Sequence, residues 1–196
     1  LASSASAGDR WLVYFGCYTN AKTGSKGIHL STFDSAKGTL SDAVVAAETG
    51  SPSFLALHPN GKYLYAVGEM ASAGGKGGAV SAFAVNRPDG TLRLINQADS
   101  GGNGPCHISL DATGHMAMVA NYGGGSCCVL PIGDDGKLGE ASSFQQHKGA
   151  SVPRLRRWAA IGAAAGAVKR EPATRVRLAR AIAGLSETLD AGFARI

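Results

Sequence analysis

The chain has 196 residues, 44% hydrophobic and 17% charged, enough to bury one ordinary core. Its net charge of +5 is unevenly placed: residues 1–152 carry 10 Lys/Arg against 11 Asp/Glu, and residues 153–196 carry 9 against 3. A nearly neutral main body gives no electrostatic reason to expect nucleic acid or an anionic membrane as a partner, and no apolar run is long enough to span a bilayer.

Residues 1–7 hold Ala5-Ser6-Ala7 ahead of a strand-like segment, the form of a signal-peptide cleavage site, so the sequence leaves both the cytoplasm and export open. Trp11–Thr19 is rich in β-formers and predicts a strand, and Gly27–Phe33 predicts a second. Lys37 to Leu40 turns the chain. Phe54–Leu57 and Tyr63–Val67 are strands joined by the tight turn His58–Lys62, where Asn60-Gly61 suits positive φ. After a glycine-rich loop at 74–78, Ala79–Val85 and Thr91–Gln97 flank the turn Pro88–Gly90. The same order then recurs: Ile108–Leu110, a Thr113-Gly114 turn, Met116–Ala120, a Gly123–Gly125 loop, Cys127–Ile132, a turn at 134–136 and a last strand from Leu138 to Gln146.

The recurrence is visible in the residues themselves. Ser51–Glu69 reads SPSFLALHPNGKYLYAVGE and Gly104–Tyr122 reads GPCHISLDATGHMAMVANY. Pro52 pairs with Pro105, Leu57 with Leu110 and Gly61 with Gly114, each 53 residues apart. A repeat of about 50 residues built from four short antiparallel strands marks a β-propeller blade. The fold class expected is therefore all-β: a partial propeller of one incomplete and two complete blades over residues 8–152.

The text changes after Val152. Residues 153–196 hold 8 Arg and 1 Lys, whereas residues 1–152 hold 3 Arg and 7 Lys. Leu178, Ile182, Leu185, Leu189 and Phe193 recur at helical spacing, which predicts two helices broken near Pro172. A propeller needs roughly four to eight blades to close. Either these helices cap the open array, or the tail is an out-of-frame reading of GC-rich DNA, the reading preferred here.

The strings VYFGCYT, PSFLALHPNGKYLYAVGE, VSAFAV, GPCHISLDATGH, MVANYGGGSCCVLPI and QQHKGASV together resemble the seven-bladed β-propeller lactonases, the family of propeller-type 6-phosphogluconolactonases and carboxymuconate-lactonizing enzymes. The resemblance covers residues 11–152. Gly68-Glu69 departs from the family's usual Asn-Glu. The family continues into a PHAH-like histidine segment and four further blades where this chain has PRLRRWAAIG, and its catalytic His and Arg lie mostly there. The resemblance implies hydrolysis of a sugar 1,5-lactone such as 6-phosphogluconolactone, and a chain that is inactive without the other blades.

Blade topology sorts the polar residues. The start of strand one and the ends of strands two and four share one rim, which places Glu69, His107, Asn121, Tyr122 and His147 together. His58 and His115 fall on the opposite rim, and His58, ahead of Pro59, reads as structural. In a lactonase, His107 or Glu69 suits the general base and His147 suits an anionic group. Asn121 and Tyr122 suit orientation of the sugar ring, although Asn121-Tyr122 before Gly123 also reads as a plain turn.

Cys17, Cys106, Cys127 and Cys128 form no CxxC or zinc-ligand spacing and read as structural thiols. No nucleophile elbow, Walker A motif or dinucleotide fingerprint is present, so no metal or cofactor is expected. The partner expected is a small-molecule sugar lactone, and the oligomeric state is open. The rival reading is a non-catalytic propeller that serves as a binding module, for which His107 and Glu69 would be dispensable.

Overall fold

The computed structural model describes residues 10–20, 22, 24–69 and 78–148. The expected leader remnant at 1–7, the loop at 74–77 and the expected helices within 153–196 lie outside the described residues.

The described residues form three four-stranded antiparallel sheets. The first holds β1 (Arg10–Phe15), β2 (Gly27–Asp34), β3 (Thr39–Leu40) and β4 (Val44–Glu48). The second is the meander β5 (Phe54–Leu57), β6 (Tyr63–Gly68), β7 (Ala79–Val85) and β8 (Leu92–Asp99). The third repeats it with β9 (Pro105–Leu110), β10 (Met116–Asn121), β11 (Ser126–Pro131) and β12 (Ser143–Gln146). The repeat is carried into the register, since Phe54 pairs with Val67 and His107, 53 residues on, pairs with Ala120. Gly61 and Gly114 both take positive φ, 67° and 81°, in the turn after strand one of their blades.

The two complete blades were legible strand by strand, but the first sheet was not. Strand β1 ends at Phe15 rather than Thr19 because the chain must pass the next blade closely there: a Cβ at Gly16 would stand 1.9 Å from the Pro52 carbonyl oxygen. Val44–Glu48 was expected as no strand, yet β4 pairs with β2 beside the two-residue β3. Strands β3 and β4 are one outer strand interrupted by a loop, a pairing that the local text does not signal. The last strand is also shorter than expected, because Leu138 makes only an isolated bridge to Ile132 and continuous pairing starts at Ser143.

Packing follows from alternation along β6. Leu64 and Ala66 face the first sheet and join Ile28, Leu30, Ala46 and Phe83 in one core. Tyr65 and Val67 point the other way and join Val80, Ala82, Ile108, Val119 and Leu130 in a second. A middle strand buried on both faces needs no polar alternation, hence the continuous apolar YLYAV. Strand β1 exits into a long loop on the same rim as the loop after β6. Cys17–Thr19 and Glu69 are therefore brought to one edge of the fold.

Candidate functional site

The rim is built by one turn used twice. Ser51 is a non-glycine residue at positive φ (44°), and Gly104, its equivalent 53 residues later, has φ 63°. Each carbonyl caps the exit of strand two in its blade: Glu69 N donates to Ser51 O at 3.1 Å, and Tyr122 N donates to Gly104 O at 2.7 Å. Glu69 and Tyr122 thus occupy equivalent rim positions in successive blades.

Glu69 is half-buried, and its Oε2 accepts a hydrogen bond from Tyr18 Oη at 2.7 Å. That bond, with burial and the Glu69 charge behind it, pushes the Tyr18 phenol up to about 12. Cys106 in β9 feels the same carboxylate: burial first, then the Glu69 charge, raise its thiol above the usual range. Tyr18, on the exit of the first sheet, therefore bonds Glu69, and Cys106 of the third sheet lies within reach of its charge. Tyr18 and Ser51 were not singled out as site residues from the sequence, and Cys106 was read there as a structural thiol. The repeat spacing could have found Ser51, but nothing local marks Tyr18.

His107 is half-buried beside Phe54, its equivalent in the preceding blade, with ring centroids 4.4 Å apart. Burial lowers its pKa below 6.5, so the imidazole is neutral at neutral pH. Its Nδ1 is buried with no hydrogen-bond partner. Ser53 Oγ, Asn121 Oδ1 and His147 Nε2 share that condition among the described residues, and all four lie on this rim. Unpaired buried polar atoms are costly and are concentrated where a structure has another use for them.

The expected residues do not all converge. Asn121 is fully buried, and its Nδ2 donates to Ser100 O and Ser126 Oγ, both at 3.2 Å. Gly125 N donates to Asn121 O at 2.9 Å. In this position the amide locks the β10–β11 turn and presents no side chain at the surface. Tyr122 is exposed. His147 follows the outermost strand of the third blade, while His107 lies on the innermost, three strand spacings or roughly 14 Å away. The structure does not bring these two histidines together.

On the opposite rim a hollow of about 420 Å³ is lined by His58, Tyr63, Thr113, His115 and Asp134, among others. Several of its polar groups are already engaged. His58 Nδ1 accepts from Asn60 N at 3.2 Å, so Nε2 carries the proton and donates to Gly114 O at 3.0 Å. His58 links two blades, the structural role expected of it. Tyr63 Oη donates to the Asp134 carbonyl at 3.1 Å. The size of this hollow is therefore a weaker pointer to chemistry than the unpaired rim opposite.

Residues 12–159 match the family described as "Lactonase, 7-bladed beta-propeller". The 6-phosphogluconolactonase of Bacillus subtilis is 34% identical over 140 residues, which is 71% of this chain and 38% of the relative. That of Formosa agariphila is 35% identical over 143 residues, 71% of this chain and 39% of the relative. The solved structure of the Pseudomonas aeruginosa periplasmic gluconolactonase superposes with a TM-score of 0.62 at 30% identity, covering 70% of this chain and 39% of that one. The chain thus spans about two fifths of the length of the curated relatives it matches.

Proposed function

The chain belongs to the seven-bladed β-propeller lactonase family, and we propose that its propeller hydrolyses a sugar 1,5-lactone, such as 6-phosphoglucono-1,5-lactone, to the aldonic acid. The family match over residues 12–159, with relatives named 6-phosphogluconolactonase, carries this reading. The chemistry proposed for the rim is consistent with it. A neutral His107 acts as general base, taking a proton from water while the oxygen attacks C1. The tetrahedral intermediate collapses, the C1–ring-oxygen bond breaks, and the proton held by His107 passes to the departing ring oxygen. Glu69 and Tyr122, at equivalent positions, contact sugar hydroxyls. Asn121 acts only by holding the turn beneath Tyr122, and His147 serves an anionic group remote from C1.

A propeller site gathers loops from several blades around one axis, so the reading assigns activity to a completed ring and none to this chain alone. The test is hydrolysis of 6-phosphoglucono-1,5-lactone above the spontaneous rate. It compares the 196-residue chain with a propeller in which residues 1–152 are joined to the remaining blades of the Bacillus subtilis relative. Activity confined to the completed propeller, and lost in His107→Ala with folding retained, supports the reading. A folded, completed propeller without activity favours the binding module instead.

A further inference from the structure

Tyr18 and Glu69 belong to different blades, 51 residues apart, and meet through a single 2.7 Å bond from phenol to carboxylate. Both ends of the contact are anchored on Ser51. Ser51 N donates to Thr19 Oγ1 at 2.9 Å, Thr19 N donates to Ser51 Oγ at 3.3 Å, and Glu69 N donates to Ser51 O at 3.1 Å. The loop that carries Tyr18 and the residue that carries the carboxylate are thus referred to the same backbone unit. The contact is solvent-accessible, with Tyr18 49% exposed, so burial does not account for it.

A carboxylate has about four acceptor sites on its two oxygens. Tyr18 occupies Oε2, and no bond to Oε1 is formed among the described residues. Among the described residues no cation pairs with Glu69: the ion pairs there are Lys26–Glu48 and Lys37–Asp34. An oriented carboxylate oxygen with no partner among the described residues is an acceptor able to take a charge-assisted hydrogen bond from a polyol hydroxyl.

We infer that Tyr18 is a positioning residue, which fixes Glu69 so that Oε1 accepts a hydrogen bond from a sugar hydroxyl. The ligand class rests on the lactonase reading; the pairing itself does not. The Tyr18 phenol, held up near 12, stays a donor throughout the neutral range.

The experiment uses the full chain with ring-labelled tyrosine, followed by NMR across alkaline pH and on addition of D-glucono-1,5-lactam, a non-hydrolysable lactone analogue. Tyr18→Phe assigns the Tyr18 signal. The expected result is that Glu69→Gln moves the Tyr18 titration from about 12 back toward 10. The lactam is expected to shift the Tyr18 signal in the wild type and not in Glu69→Gln. Tyr18→Phe is expected to weaken lactam binding about tenfold, and the double variant to bind no more weakly than Glu69→Gln alone. A Tyr18 titration unmoved by Glu69→Gln overturns the pairing. The lactam arm is repeated in the completed propeller, where wild-type affinity in Tyr18→Phe, or no binding by the wild type, overturns the positioning role. Failure of the lactonase reading is seen separately, as absence of turnover in the completed propeller.

Discussion

The rings of Phe54 and His107 stand at equivalent positions of successive blades, 4.4 Å apart and tilted by 46°. The blade repeat therefore supplies the apolar wall that keeps the candidate base neutral. His107 has its pKa lowered by burial, so the acid limb of activity in a completed propeller is expected below pH 6.5. Phe54→Ala opens that wall and should move the limb upward, a shift that a pH–rate profile reads directly.

Stability has its own sign. A histidine with a folded pKa below its unfolded value binds fewer protons when folded than when unfolded. Its stabilising contribution is full above about pH 6.5 and declines as the pH falls through that value toward the folded pKa. Urea unfolding at pH 7.5 and pH 5 should show this loss in the wild type. His107→Leu should show a smaller one, and an equal slope in both would remove His107 as the cause.

Asn121 separates a structural from a substrate-binding role. Removing its amide leaves Ser100 O and Ser126 Oγ without their buried donor. Asn121→Ala is expected to cost about 1–3 kcal/mol in chemical denaturation and to leave KM unchanged in a completed propeller that remains folded. A raised KM at unchanged stability would return Asn121 to the substrate.

Two glycines are required for different reasons. Gly16→Ala drives a Cβ to 1.9 Å from the backbone of Pro52 and should destabilise the first two blades by about 3 kcal/mol or more. Gly104→Ala meets nothing closer than 3.2 Å but forces alanine to φ 63°, at about 1–2 kcal/mol. Thermal and denaturant midpoints of the two variants should fall in that order.

Thiol reactivity should follow burial. Cys128 is 2% exposed and its thiol is pushed up to about 12, chiefly by burial. It is expected to stay unmodified by a thiol reagent at pH 8 until the chain unfolds, which mass spectrometry of the modified protein would reveal.

Much of this was legible in the text. The 53-residue repeat of Pro52 with Pro105 and Gly61 with Gly114 implied blades, because a four-stranded unit writes its turns at fixed offsets. The common rim of Glu69, His107, Tyr122 and His147 followed from strand direction alone, and so did the opposite placing of His58. Strand direction says which edge a residue reaches, but it carries no information on distance across a sheet. Tertiary structure alone separated His147 from His107, buried Asn121 beneath its turn and paired β4 with β2. It alone bonded Tyr18 to Glu69, 51 positions on, and set Cys106, 37 positions further, within reach of the Glu69 charge, because the packing of one blade on the next joins residues far apart in sequence. Local propensity and periodicity encode a blade; the packing of one blade on the next decides which rim atoms meet.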